Sequence, residues 1–299
     1  MSLSELYDPV ASGDAPADAV RRIEREARML GTPCGRGEMV WRIWGEERAG
    51  RPALLMLHGG YGSWAHWIRN ILPLSEHYLV IAPDSPGLGD SAAVPQPHQE
   101  HVLGGIIADG LATVLPAPAR FHFVGFSFGC LLGGYVARRH RERLASLTVV
   151  GSGGLGLPRL QVTNLTPAKP QMSPDEVARL QRENLAQLMI YDRAKIDPLA
   201  LHLQIDHTRR ARVKSRLMSR SDGLAKILPE LGRPLAGIWG EHDVTAAPDF
   251  ASREKLLRSI DPQSRFEIMP GIGHWAQYEG AADFNRLFLD VLAYAEARS

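Results

Sequence analysis

From Phe121 to Ala137 the chain reads Phe-His-Phe-Val-Gly-Phe-Ser-Phe-Gly-Cys-Leu-Leu-Gly-Gly-Tyr-Val-Ala, an apolar run that passes through Gly125-x-Ser127-x-Gly129 straight into a second apolar stretch. Such a pattern predicts a buried strand, one sharp turn and a helix, with Ser127 on the turn, its hydroxyl exposed and its backbone strained. The glycines follow from the tightness of that turn: a Cβ at 125 or 129 would collide where strand and helix approach, and glycine carries none. A glycine-rich turn between strand and helix is common, so this one says nothing about chemistry until the serine has partners. A hydroxyl is a poor nucleophile at neutral pH, and it needs a base within hydrogen-bond reach and a third group that orients the base.

Both candidates lie downstream. Pro234-Leu-Ala-Gly-Ile-Trp-Gly-Glu-His-Asp243 predicts an apolar strand whose loop presents Asp243, and Arg265-Phe-Glu-Ile-Met-Pro-Gly-Ile-Gly-His274 predicts another whose loop presents His274. An oxyanion intermediate also needs donors aimed at the developing charge. Ala53-Leu-Leu-Met-Leu-His58-Gly59-Gly60 is a buried-type strand running into a loop of small residues, and the hole is assigned to the backbone amides of Gly60 and Phe128. Other polar residues nearby take plainer roles. His58 reads as a structural hydrogen-bonder, His242 as solvent-facing and Cys130 as packing; Asp84 is the alternative acid, and Asp249 is disfavoured because it stands at a helix start.

Alternation of strands and helices implies an α/β architecture, a mostly parallel, doubly wound sheet with right-handed crossovers. Ala17 to Leu30 predicts an N-terminal helix with Val20, Ile23, Ala27 and Leu30 on one face, and Cys34 then precedes the first strand. Gly37 to Gly45 alternates like an edge strand with one wet face. Trp64 to Leu72 reads as a helix, Tyr78 to Ala82 as a buried strand, Gln99 to Leu115 as a crossover helix and Leu147 to Gly151 as a core strand. From 153 to 229 no core strand is legible, only helical stretches such as Pro174 to Ile190 and Ala194 to Arg220. This insert predicts a helical cap over Ser127, with residues 1–152 and 230–299 forming the core. Arg209, Arg210, Arg212, Lys214, Arg216 and Arg220 give the cap a basic run, read as a solvated face, although some could hold a substrate carboxylate. Pro248 to Ile260 and Ala281 to Glu296 are the last helices.

Composition limits the function classes. A chain of 299 residues with formal net charge +1 gives no reason to expect nucleic acid, and no apolar run approaches the roughly 20 residues that span a bilayer. The start lacks a basic segment followed by an apolar one, and two widely placed cysteines suit a reduced, cytoplasmic protein. His202 and His207 lack metal-ligand spacing, and hydrolysis by this route needs neither metal nor cofactor. The expected partner is a small-molecule substrate, with a homodimer or higher homo-oligomer plausible.

The order nucleophile, acid, histidine resembles the α/β-hydrolase superfamily over essentially the whole chain. Within it the chain is similar to the meta-cleavage product hydrolases, which cut a carbon–carbon bond in vinylogous diketone acids from aromatic-ring degradation. The resemblance is carried by His58-Gly-Gly60, Arg69-Asn70, Asp84-Ser-Pro-Gly87, Gly151-Ser-Gly-Gly-Leu-Gly156, Tyr191-Asp192 and Gly273-His-Trp-Ala-Gln-Tyr-Glu279, followed by Asp283-Phe-Asn-Arg-Leu287. It implies that His274 helps convert a dienol to its keto form, after which Ser127 or an activated water attacks the ketone, releasing a dienoate and a carboxylic acid. It also implies a substrate pocket bounded by Gly59, Phe126, Gln204 and Trp275. Two positions depart from the family: Phe126 stands where Asn is common, and Gln204 stands where the family has a carboxylate-binding cap arginine. Both changes remove polar contacts that a hydroxylated dienoate needs, whereas a simple ester needs fewer. Carbon–carbon hydrolysis and carboxylester hydrolysis are both open on these residues, with a non-catalytic ligand receptor on the same scaffold as a further reading.

Overall fold

Eight strands form one sheet in the order β1-β2-β4-β3-β5-β6-β7-β8 in the computed structural model, which describes residues 13–46, 50–159 and 165–298. They are β1 (Arg28–Cys34), β2 (Gly37–Trp44), β3 (Ala53–Leu57), β4 (Leu79–Pro83), β5 (Phe121–Phe126), β6 (Leu144–Val150), β7 (Leu235–Gly240) and β8 (Arg265–Met269). β1 and β2 pair antiparallel, as do β2 and β4, and the rest of the sheet is parallel. β3, β5, β6 and β7 are buried along their whole length, because helices cover both faces and each of these strands is nearly all apolar. From β3 the chain winds one way to β4 and later returns to place β5 on the other side, so the loops after β3 and β5 diverge. The crevice they leave is where open α/β sheets bind ligands.

The larger helices are α1 (Pro16–Arg25), α2 (Glu100–Val114), α3 (Phe128–Arg139), α4 (Pro174–Leu188), α5 (Pro198–Arg210), α6 (Gly223–Leu231), α7 (Phe250–Ile260) and α8 (Ala281–Glu296). α4 begins with a full capping box: the Ser173 hydroxyl accepts from the Glu176 amide while Glu176 accepts from the Ser173 amide. α6 runs through residue 229 and packs Leu224 and Ile227 against α3, where a Cβ on Gly134 would come within 2.7 Å of Leu224.

Five expectations are corrected. The N-terminal helix stops at Arg25, and Leu30 lies on β1; Gly31-Thr-Pro33 is poor helix material, and the stretch instead pairs with β2. Cys34 therefore ends the first strand. β2 is interior, flanked by β1 and β4, and its apparently wet Arg42 is fully buried among Asp84, Glu24 and Asp90. Trp64 to Leu72 divides into a short 3-10 turn, Trp64–Trp67, and a helix, Ile71–Ser75. Asn70, between them, spends its side-chain amide on Gln277 and Asn285. Ala194 to Arg220 is likewise divided. Asp197 caps α5 ahead of Pro198, and beyond Arg210 the amide of Arg212 bonds to the carbonyl of Gly87, so helix resumes only at Ser215–Met218.

Candidate active site

Ser127 occupies the turn between β5 and α3 with φ 51° and ψ −112°, a conformation that L side chains rarely adopt. Its neighbours hold it there: the Ser127 amide donates to Val150 O at 2.8 Å, and its carbonyl accepts from the Gly153 amide at 3.0 Å. A Cβ on Gly125 would lie 2.7 Å from the Cα of Cys130, and one on Gly129 2.5 Å from the carbonyl oxygens of Leu57 and His58. Both are backbone clashes that cannot be relieved locally. The Cys130 thiol donates to Gly125 O at 3.0 Å, and burial pushes its pKa up to about 12, so it packs and does not react.

His274 and Asp243 meet at the ends of β8 and β7, with Nδ1 of His274 donating to Oδ2 of Asp243 over 2.8 Å. The other carboxylate oxygen accepts from the Thr245 amide at 2.8 Å, and the Thr245 hydroxyl stands 3.3 Å from the same histidine nitrogen. Burial opposes ionisation of Asp243, but the imidazole and these hydrogen bonds prevail and hold its carboxyl below the usual range. Fixing the proton on Nδ1 leaves Nε2 as the free base. Ser127 and His274 line one cavity of about 320 Å³, together with Gly59, Gly60, Phe126 and Thr245. Among the described residues the serine hydroxyl has no hydrogen bond of its own, and such contacts often close only around substrate.

The amides of Gly60 and Phe128 donate to no protein acceptor among the described residues, and a Cβ on Gly60 would lie 3.6 Å from that of Phe128. The same Cβ would lie 2.1 Å from the hydroxyl oxygen of Ser215, so only glycine fits beneath the inserted segment. His58 donates from Nδ1 to Gly59 O at 2.8 Å and accepts the Ser85 amide on Nε2 at 2.9 Å, which occupies both nitrogens. Asp84, just past the end of β4, accepts from the Trp64 and Asp90 amides and pairs with Arg42, so its carboxylate is already committed. Asp249 caps α7, and His242, its side chain 36% exposed, stacks on the exposed Tyr191 at 3.6 Å.

Two of the expected pocket residues lie elsewhere. Gln204 does not line the cavity; its amide turns along the inserted helices to Gln181 at 3.1 Å. Trp275 lies behind the wall, stacked on Tyr278 at 4.1 Å and donating from its indole to His66 O at 2.8 Å. Gly59 and Phe126 do face the cavity. Half of the basic run is accounted for: Arg209 pairs with Asp206, Arg210 with Asp90 and Asp206, and Arg212 binds the carbonyls of Gly89 and Ser91. Arg216 and Arg220 line the cavity.

Several contributors have no motif to announce them. His66 accepts the Gly59 amide on Nδ1 at 3.2 Å and meets Phe126 edge to face, with ring centroids 5.4 Å apart. Burial, reinforced by His207, His58 and His274, keeps it neutral well below the ordinary histidine range. His207, hydrogen-bonded to the Ser63 hydroxyl at 2.7 Å, is lowered by burial to a pKa of about 3. Tyr61, with φ 56°, and Arg159 complete the walls of the cavity. Only tertiary packing brings these residues together, so spacing along the chain carries no trace of them. Glu279 ties the inserted segment to the histidine loop: its carboxylate accepts the amides of Gly273, Tyr191 and Asp192 at 2.7 to 3.1 Å, and the Trp275 amide donates to Met189 O at 2.7 Å. Among the described residues no group of three or more His, Cys, Asp or Glu side chains could hold a metal ion, and no helix is long and apolar enough to cross a membrane.

The profile of the family described as "alpha/beta hydrolase fold" matches residues 52–208. The chain is 30% identical over 256 residues to the 2-hydroxy-6-oxo-6-phenylhexa-2,4-dienoate hydrolase of Burkholderia cepacia, covering 81% of this chain and 87% of that enzyme. It is 29% identical over 262 residues to the 2-hydroxy-6-oxononadienedioate/2-hydroxy-6-oxononatrienedioate hydrolase of Comamonas testosteroni, with the same coverage of each. Among solved structures it resembles a Bacillus subtilis carboxylesterase at a TM-score of 0.70 and 20% identity, covering 93% of this chain and 95% of that one. The strand order, the turn at Ser127 and these relatives together make the chain a member of the alpha/beta hydrolase fold family and a hydrolase.

Proposed function

We propose that Ser127 is the nucleophile, His274 the general base and Asp243 the group that fixes the base's tautomer, with the Gly60 and Phe128 amides holding the oxyanion. The observation that carries this reading is the 2.8 Å bond from His274 Nδ1 to Asp243, which turns Nε2 toward the cavity that Ser127 shares. Nε2 takes the serine proton as Ser127, or a water it activates, attacks the carbonyl, and gives it back to the leaving group. Two unspent amides near that carbon are worth most as charge develops on oxygen, because they are already oriented and need no rearrangement. Residues 153–229 act as a cap, since Leu188, Met189, Ser215 and Ser219 close the cavity above Ser127.

The reaction is carbon–carbon hydrolysis of a 2-hydroxy-6-oxo-dienoate type of acid, the class for which the two relatives are named. Water is added across the bond: the acyl fragment leaves as a carboxylic acid and the other carbon gains a proton, delivered by His274. Carboxylester hydrolysis is the second reading, favoured by Phe126, which places an apolar ring where a polar contact to a hydroxylated substrate would be useful. The chemistry belongs to a reducing, cytoplasmic setting, with which the buried free thiols of Cys34 and Cys130 are consistent.

The test compares wild type with Ser127→Ala on a ring-cleavage dienoate and on p-nitrophenyl esters. Bleaching of the dienoate that requires Ser127 and outpaces every ester supports carbon–carbon hydrolysis. Ester turnover alone moves the enzyme to the second reading, and turnover of neither by folded protein removes both.

A further inference from the structure

Arg159 is the one cavity-lining arginine fixed beside the base. Its Nε donates to Thr245 O at 3.3 Å, and Thr245 is the residue that also bonds Asp243 and stands 3.3 Å from His274 Nδ1. Its Nη1 donates to Ser219 O at 3.1 Å, a carbonyl that also accepts the Gly154 amide, next to the Gly153 amide that holds Ser127 O. Two of five guanidinium donors are therefore engaged, both by neutral carbonyls, and Nη2 has no partner among the described residues.

The charge is equally uncommitted. Burial works against the protonated guanidinium, and Asp243, the acid that favours it, is already bound to His274 and Thr245. Arg159 forms no ion pair among the described residues, and neither do Arg216 and Arg220, which line the same cavity with exposed side chains. Phe126 and Gly59 line the same cavity, and Leu157, Leu165 and Leu188 supply further apolar surface. A half-buried, unpaired cation is costly, and a fork with free N–H groups beside a reacting centre matches a carboxylate in charge and geometry.

We propose that Arg159, with Arg216 and Arg220 at the cavity mouth, binds a carboxylate on the substrate, so that the anionic end lies against the inserted segment and the apolar end against Phe126. This deepens the hydrolase reading of Ser127 and rests on it. The expected arginine position, Gln204, turns away from the cavity, and the anion site is supplied from the loop after β6 instead.

The experiment compares the mono-p-nitrophenyl ester of glutaric acid with p-nitrophenyl pentanoate, acyl groups of equal carbon count that differ in the terminal carboxylate. In wild type kcat/KM for the anionic ester exceeds that for the neutral one by about tenfold or more, and the preference shrinks with added salt. The ratio collapses in Arg159→Gln, recovers in part in Arg159→Lys, falls in Arg220→Gln, whose exposed side chain carries little folding risk, and persists in Arg209→Gln, whose partner is Asp206. A ratio near one in wild type, or an unchanged ratio in folded Arg159→Gln, would make Arg159 a structural tie and overturn the proposal while ester turnover leaves the hydrolase reading intact. Glutarate binding to Ser127→Ala protein, measured by calorimetry with and without Arg159→Gln, separates the two ideas. Arg159-dependent binding without turnover of any ester supports the anion site and removes the hydrolase reading.

Discussion

Ser127 and Tyr61, at φ 51° and 56°, are the two non-glycine residues with positive φ among the described residues, and both line the cavity. Such conformations cost about 1–3 kcal/mol each and persist only where the surroundings over-determine them. At Ser127 the bonds to Val150 and Gly153 do so, so Ser127→Ala is expected to keep the thermal midpoint within a few degrees while activity falls by about 10³-fold or more. Steady-state rates and a melting curve on the same preparation check both halves. Gly60→Ala places a Cβ 2.1 Å from Ser215 Oγ, pushes the amide off line and lowers kcat by about 10²-fold; adding Ser215→Gly recovers part of the loss. The positions of Ser127, Asp243 and His274 at strand ends were legible because each follows an extended run in a motif whose spacing the proposed chemistry dictates. Thr245, His66 and Arg159 were not, since their roles come from contacts made only after folding.

At the scale of elements, the ends of β3, β5, β7 and β8 position the site; β3, β5 and β7 were readable as apolar runs and β8 as the strand before a glycine-rich loop. β2 was misread because alternation alone cannot tell a residue facing water from one facing a buried carboxylate. Arg42, fully buried, is the residue that decided it: it links β2 to Asp84 after β4 and to Glu24 of α1. Arg42→Met leaves the buried Asp84 without its cation, a change worth about 3–5 kcal/mol. A matching drop in ΔG from urea titration is expected, and Arg42→Lys should recover little, because an ammonium cannot fork among three carboxylates. An unchanged midpoint in Arg42→Met would show that the backbone amides of Trp64 and Asp90 alone satisfy Asp84. The same limit applied to Ala194 to Arg220, where apolar spacing continued across a break set by the Arg212 bond to Gly87.

Over the whole molecule, buried neutral histidines set the response to acid. His207 falls from 6.5 in the unfolded chain to about 3 when folded, so below pH 6.5 the unfolded state binds more protons. Its stability contribution is complete above 6.5 and is lost as pH falls toward 3, by at most about 1.4 kcal/mol per pH unit. Asp243, held below its ordinary value, adds a further loss at lower pH, as its carboxylate is protonated. Urea midpoints at pH 7.5 and 5 should differ clearly in wild type and by less in His207→Gln, with the residual slope belonging to the other histidines lowered by burial, His66, His58 and His122. If His207→Gln leaves the difference unchanged, His207 is not the group that titrates. Another consequence concerns traffic. Three hydrogen bonds, from the Tyr191 and Asp192 amides to the Glu279 carboxylate and from the Trp275 amide to Met189 O, tie residues 189–192 to the loop that carries His274. That side of the roof is a hinge post: lifting it would drag the base out of alignment. Among the described residues the two exposed ones lining the cavity are Arg216 and Arg220, so a carboxylic acid released at Ser127 meets two cations on its way to solvent.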